Sequence, residues 1–245
     1  MNEPIKICEK ISNIERKESP EKLYEYLTQF GMYRPNAKIE KLFVDLEKSQ
    51  IWDKVKRLFQ KYKKKWNGPD IPIYIFPIGS SGGIFQSPQT KSGLSFPDKL
   101  FLFLSDIGDE LEIEALFIHE YHHICRLNGL KKSINEYTLL DSLIMEGLAE
   151  DAVHEILGSK YLAEWSKMLS EENFNFYMEK FLQNNLTLKK GTRKHDQLLF
   201  GRGLLPNMLG YTCGYHIVRS FRLKNSYTTK ESFTLDSENF TNFDN

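Results

Sequence analysis

Cysteine is scarce in this chain: there are three in 245 residues, Cys8, Cys125 and Cys213, and no Cys-x-x-Cys. An odd, widely spaced set argues against a disulfide framework and fits a reducing compartment. Long apolar runs are missing too. No window approaches the roughly 18 apolar residues a membrane-spanning helix needs, and the opening Met-Asn-Glu-Pro-Ile-Lys-Ile-Cys-Glu-Lys holds no apolar signal core. Neither sign of charge is in excess, with 33 Lys and Arg against 33 Asp and Glu. No global field therefore recruits nucleic acid or an anionic membrane. The expectation is a soluble, cytoplasmic protein with neither as partner. The local basic run Lys61 to Lys65, with Lys54 and Arg57, has helical spacing and reads as a solvated face. Gly79-Ser80-Ser81-Gly82-Gly83 reads as a turn or mobile loop; no Lys-Ser/Thr follows it and no long helix opens after it, which excludes a phosphate-binding loop.

What is present describes a globular protein with a substantial core: 40% of the residues are hydrophobic and 13% aromatic. Residues 1–67 read as a helical N-terminal segment packed on the core. Pro20 sits just inside a helix start with Ser19 as cap, and Leu42, Phe43, Leu46, Ile51, Val55, Leu58, Phe59 and Tyr62 mark one amphipathic helix or two. Asn67-Gly68-Pro69-Asp70 breaks this pattern. Ile71 to Ile78 reads as a strand that Pro72 and Pro77 confine to an edge or its own ends. Ile84-Phe85 reads as a brief edge strand and Lys99 to Leu104 as a second substantial strand. Strands of this kind can offer an edge along which an extended peptide pairs its backbone.

The chain is organised around Ala115 to Leu127, which contains His119-Glu120-Tyr-His122-His123 within helical periodicity. Positions i and i+4 share a helix face, so His119 and His123 can aim at one metal ion, and Glu120 lies about 100° around the helix. Two imidazoles suit Zn²⁺, and a neighbouring carboxylate suits a general base acting on a zinc-activated water. His122 competes for the metal through its i, i+3 spacing with His119. The pairing with His123 is preferred because it leaves Glu120 placed to work. Asp106 or Asp109 caps this helix, Asn128-Gly129 ends it, and Ile113, Phe117, Tyr121 and Ile124 pack its far side.

A catalytic zinc needs a third protein ligand. Ser133-Ile-Asn-Glu136 reads as a capping box opening a helix that runs to Leu157 and stops at Gly158. Glu146 on that helix is the candidate, with Gly147 beside it suiting a close approach of two helices. Glu150, one turn on, is expected to accept the N–H of a ligand histidine and fix its tautomer. His154 continues that face and reads as a partly exposed helix residue. Lys160 to Leu169 and Glu171 to about Gln183 read as helical, Asn184 to Gly203 as a polar, basic loop, and Leu209 to Phe221 as a final helix. From Lys224 the composition predicts a polar, weakly ordered tail over 224–245.

His119-Glu-Tyr-His-His123 followed by Glu146-Gly-Leu-Ala-Glu150 resembles the zinc metallopeptidases whose third ligand is glutamate, the gluzincins. The chain is similar to a bacterial family of zinc-dependent proteases otherwise known as a domain of unknown function. Gly93-Leu-Ser-Phe-Pro-Asp-Lys-Leu-Phe-Leu-Phe-Leu and Gly210-Tyr-Thr-Cys-Gly-Tyr also look like that family, and the likeness covers roughly residues 70 to 222. The resemblance implies an α+β, zincin-like fold, a small mixed sheet over an active-site helix with a mostly helical C-terminal lobe, in a catalytic domain spanning 68–223. It implies a Zn²⁺ hydrolase cleaving a peptide or protein substrate, with His119, His123 and Glu146 as ligands and Glu120 as base. It also implies a Tyr or His to hold the oxyanion. Tyr211 is the first choice and Tyr215 the second, with His195 and His216 also in range. The Gly-x-Met-Glu-Asn motif of aminopeptidases is absent, so the resemblance implies no specificity for a free N-terminus. A rival reading is a zinc-stabilised binding protein that cleaves nothing.

Overall fold

Four helices come first: α1 (Pro4–Glu15), α2 (Pro20–Thr28), α3 (Ala37–Lys48) and α4 (Ile51–Trp66). The computed structural model describes residues 3–15, 19–79 and 90–241. Ser19 caps α2 through its side chain, and Asn36 caps α3 by accepting from the N–H groups of Lys38 and Ile39. The amphipathic stretch from Ile39 to Trp66 is two helices. They part at Ser49-Gln50, where Gln50 takes a left-handed φ of 56°.

Among the described residues three strands follow, β1 (Ile73–Pro77), β2 (Lys91–Phe96) and β3 (Lys99–Leu104), in the order β1-β3-β2. β1 runs parallel to β3, and β2 runs antiparallel to it across the two-residue turn Pro97-Asp98, with Phe96 opposite Lys99. β3 is central and buried along its whole length, as its continuous apolar run requires. β1, with Pro77 at its end, lies on an edge. The sequence predicts no separate strand over Lys91–Phe96. Its Ser92, Gly93 and Ser95 carry little strand propensity, and pairing with β3 decides the matter. The edge strand expected at Ile84-Phe85 lies outside the described residues.

The chain divides into two compact units, residues 1–64 with 70–117, and residues 65–69 with 118–245. The N-terminal helices share a core with the sheet. Cys8, Ile11, Leu23, Leu27, Tyr33 and Ile39 pack with Phe76, Phe101 and Phe103. Helix α5 (Glu110–Leu130) begins in the first unit and continues into the second. Asp109 caps it, its carboxylate accepting from the Leu111 N–H at 3.0 Å. In its first two turns Glu114 accepts from Tyr62 at 2.5 Å and Lys61 at 2.7 Å. The helix runs one residue past the expected stop at Asn128-Gly129, and Lys131 ends it in a left-handed conformation.

In the second unit the Ser133 to Glu136 capping box forms, but it closes only a 3₁₀ turn over Ile134–Glu136. Helix α6 (Leu139–Leu157) has its own box, Thr138 with Asp141, placed where the apolar run begins, and Gly158 at φ 83° ends it. Ser159–Tyr161 and Glu164–Lys167 are 3₁₀ turns, not one helix. Helix α7 (Glu171–Tyr177) leads through a π turn, Met178–Leu182, into the turn Gln183–Asn185. The expected polar loop over Asn184 to Gly203 contains a helix, α8 (Arg193–Phe200), capped by Thr192 and burying His195, Leu198 and Leu199. Helix α9 (Leu209–Lys224) packs against α6.

The segment after Lys224 is also packed, at least to Phe240. Phe233 stands edge-on to Trp66 at 5.6 Å and Phe240 lies 4.4 Å from Phe221. Arg126, fully buried, donates to the carbonyls of Ser232 and Leu235 and to the Ser237 hydroxyl. A few aromatic anchors and one buried guanidinium therefore order a strap whose polar composition suggests a free tail. No described helix is long and apolar enough to cross a membrane.

Candidate metal centre

His119 and His123 project from one face of α5, one helical turn apart, with their rings 4.6 Å apart and nearly perpendicular. Glu146 reaches them from α6. Its Oε2 lies 3.1 Å from His119 Nε2 and 3.3 Å from His123 Nε2. Donor atoms of the three residues all fall within 4.8 Å of one another, and among the described residues this is the group that could hold a metal ion. Glu150, one turn along α6, accepts from His119 Nδ1 at 3.0 Å through Oε2 and from the Ala163 N–H at 2.5 Å through Oε1. A carboxylate at Nδ1 keeps a proton there and fixes the ring with Nε2 directed at Glu146.

The electrostatics match this geometry. Burial works against a charge on His119, but the Glu146 and Glu150 carboxylates outweigh it and raise its pKa to about 10. Burial likewise opposes the Glu146 carboxylate, yet His123 and His119 hold it well below the usual carboxylate range. Two imidazole nitrogens and one carboxylate oxygen are a donor set that fits Zn²⁺.

Glu120 is buried on the same helix. Tyr211, near the start of α9, lies close enough to Glu146 to feel its charge. Burial raises its pKa well above the ordinary tyrosine value, and the nearby Glu146 and Glu120 charges raise it further. Tyr211 is therefore brought to the cluster. Tyr215 is not: its hydroxyl is 2.9 Å from His154 Nδ1. His195 is buried and engaged by Ser142 and Asp196 on its two nitrogens, while His216 stacks on Phe174 and meets the Leu169 carbonyl. His122 points off the metal face, with Nε2 3.0 Å from the Ser232 hydroxyl and its ring against Trp66 and Phe233.

Glycine brings the two helices that frame the site together. A Cβ on Gly147 would run into the backbone carbonyl of Gly214, and one on Gly214 into that of Leu143. This contact carries Tyr211 toward Glu146, one turn N-terminal of Gly214.

One residue at the centre has no counterpart in the sequence reading. Trp165, in the Glu164–Lys167 turn, stands edge-on to His119 at 6.2 Å and to Tyr211 at 5.3 Å. It lies in a short irregular segment without periodicity, and its being one of only three tryptophans is the sole signal the sequence offers.

The profile of a family described as Predicted Zn-dependent protease (DUF2268) matches residues 51–242. The chain belongs to that family. The matched span takes in every residue of the cluster as well as the C-terminal strap. Among curated proteins, the chain is 37% identical over 216 residues to the uncharacterized protein YjaZ of Bacillus subtilis (strain 168), covering 88% of this chain and 83% of that one. It is 28% identical over 136 residues to the uncharacterized protein YjfC of the same organism, covering 51% of this chain and 45% of that one. No solved structure matches it.

Proposed function

We propose that this protein is a zinc-dependent peptidase of the gluzincin type, with His119, His123 and Glu146 as the metal ligands. The observation that carries the reading is the convergence of both histidine Nε2 atoms on one Glu146 oxygen. Membership of a family described as a predicted Zn-dependent protease supports it independently. Zinc bound there supplies Lewis acidity, which acidifies water and polarises a carbonyl.

The chain's own residues do the rest. Glu120 accepts the proton of the attacking water and passes it to the departing amine, the work of a general acid–base. The Tyr211 hydroxyl, kept protonated by burial and by its two carboxylate neighbours, donates to the substrate oxygen as negative charge grows on it. Glu150 holds the His119 ring in the tautomer that presents Nε2. The substrate is a peptide or protein. Three buried, unpaired cysteines support a place in the cytoplasm.

A peptide-library digestion with zinc-loaded wild type and Glu120→Gln tests the reading. Cleavage that falls by a factor of about a hundred or more in the variant, as loss of a general base entails, supports it. Stoichiometric zinc with no Glu120-dependent cleavage of any peptide would point instead to a zinc-stabilised binding protein.

A further inference from the structure

Trp165 occupies a position that the chemistry above does not use. Its indole is partly exposed, although it lies against a candidate metal ligand on one side and against Tyr211 on the other. Phe200, also partly exposed, continues the row 5.9 Å beyond Tyr211. His119, Trp165, Tyr211 and Phe200 thus form a continuous aromatic wall beside the cluster. The backbone that carries Trp165 is tied down at two points. Thr212 Oγ1 donates to the Trp165 carbonyl at 2.7 Å, and the same Glu150 that orients His119 accepts from the N–H of Ala163, two residues before Trp165. With its backbone anchored and its ring flanked by His119 and Tyr211, the indole offers a defined shape.

We propose that Trp165 is a specificity-determining residue, its indole being the surface against which an apolar side chain, aromatic in preference to aliphatic, packs beside the scissile bond. The proposal rests on the peptidase reading. A substrate carbonyl that reaches the cluster brings the side chain of its own residue or of the next into contact with the partly exposed indole. Burying that side chain against apolar surface favours binding in proportion to the area removed from water. A ring gains more than an alkyl chain, because aromatic pairs at 4.5–7 Å between centroids attract beyond their buried area.

The test uses zinc-loaded full-length protein and capped peptides identical except for one residue, Phe, Leu or Gly, on either side of the bond that mass spectrometry shows to be cut. Wild type is expected to prefer Phe over Gly by about tenfold to a hundredfold in kcat/KM. Trp165→Ala is expected to lose most of that ratio. Trp165→Phe should keep it, and Trp165→Leu should still favour Leu over Gly while losing Phe over Leu. A ratio between matched substrates cancels any general loss of activity from a disturbed His119. Binding gives a second readout: the Phe peptide should change tryptophan emission in Glu120→Gln and leave it unchanged in Glu120→Gln with Trp165→Phe. An unchanged Phe-to-Gly ratio in both Trp165→Ala and Trp165→Leu would overturn the proposal while leaving the peptidase reading intact, as would a wild-type ratio near one. A wild type that cuts and binds no peptide overturns both.

Discussion

His119 Nδ1 donates to Glu150 Oε2 at 3.0 Å, and the other oxygen of Glu150 is already taken by the Ala163 N–H. Both partners are donors, so the site requires a group that only accepts. Glutamine cannot meet both demands, because turning its oxygen to one partner turns its NH₂ toward the other. Glu150→Gln should therefore weaken zinc binding by about 10- to 100-fold while leaving the circular dichroism spectrum unchanged. Chelator competition measures this, and an unchanged affinity would remove the orienting role assigned to Glu150.

The contact between Gly147 and Gly214 leaves no room for a methyl group, and the obstacle is backbone on both sides. Gly147→Ala gains roughly 1 kcal/mol in helix propensity but forces α6 and α9 apart, an overpacking cost of about 1–3 kcal/mol or more. The expected net result is a lower midpoint in urea together with weaker zinc binding, since Glu146 and Tyr211 sit on the two displaced helices. Stabilisation by Gly147→Ala would contradict the close approach.

How much of this was legible from residues alone depended on whether a pattern or a partner decided the structure. The face shared by His119 and His123 follows from helical period, and β3 from an uninterrupted apolar run. Position along a helix likewise places Glu146 and Glu150 on one face. Where two local signals compete, the sequence is ambiguous: Ser133 to Glu136 and Thr138 to Asp141 both form capping boxes, but only the second leads into the apolar run of α6. Helix α8 and the C-terminal strap were illegible because polar composition masks a few decisive buried groups, such as His195 against Ser142 and Phe233 against Trp66. Trp165 belongs to no repeating pattern, and only tertiary packing brings it to His119.

Asp141 gives the fold a defined acid sensitivity. Burial works against its carboxylate, but Lys132, the Thr138 N–H and hydroxyl, and Ser237 outweigh that and hold its pKa below the ordinary 3.8. A carboxyl with a lowered folded pKa contributes fully above its unfolded value, and the contribution disappears as pH falls through the folded value. Stability should therefore decline below about pH 4 in part through this residue. Asp141→Asn should cost about 3 kcal/mol at neutral pH and flatten the acid limb of a stability–pH curve. Parallel urea titrations from pH 3 to 7 read both effects (roughly the window set by ordinary carboxylates), and an equally steep acid limb in the variant would count against the assignment.

Phe233 lies in a segment of polar composition, yet it is buried against Trp66 and His122. Phe233→Ala should lower stability by about 3–5 kcal/mol, the cost of a large core truncation, where a free tail would give a change near zero. Thermal or denaturant unfolding distinguishes the two.

The central claim is that His119, His123 and Glu146 hold one zinc ion in a site where Glu120 is not a ligand. Metal analysis of purified full-length protein tests this most directly, on wild type, His123→Ala, Glu146→Ala and Glu120→Gln. The account predicts about one zinc per chain in wild type and in Glu120→Gln, and little in the two ligand variants, as expected for three protein ligands with an open position. Wild-type protein carrying less than about a tenth of an equivalent after careful purification in zinc-containing medium would contradict it, as would full zinc retention by Glu146→Ala.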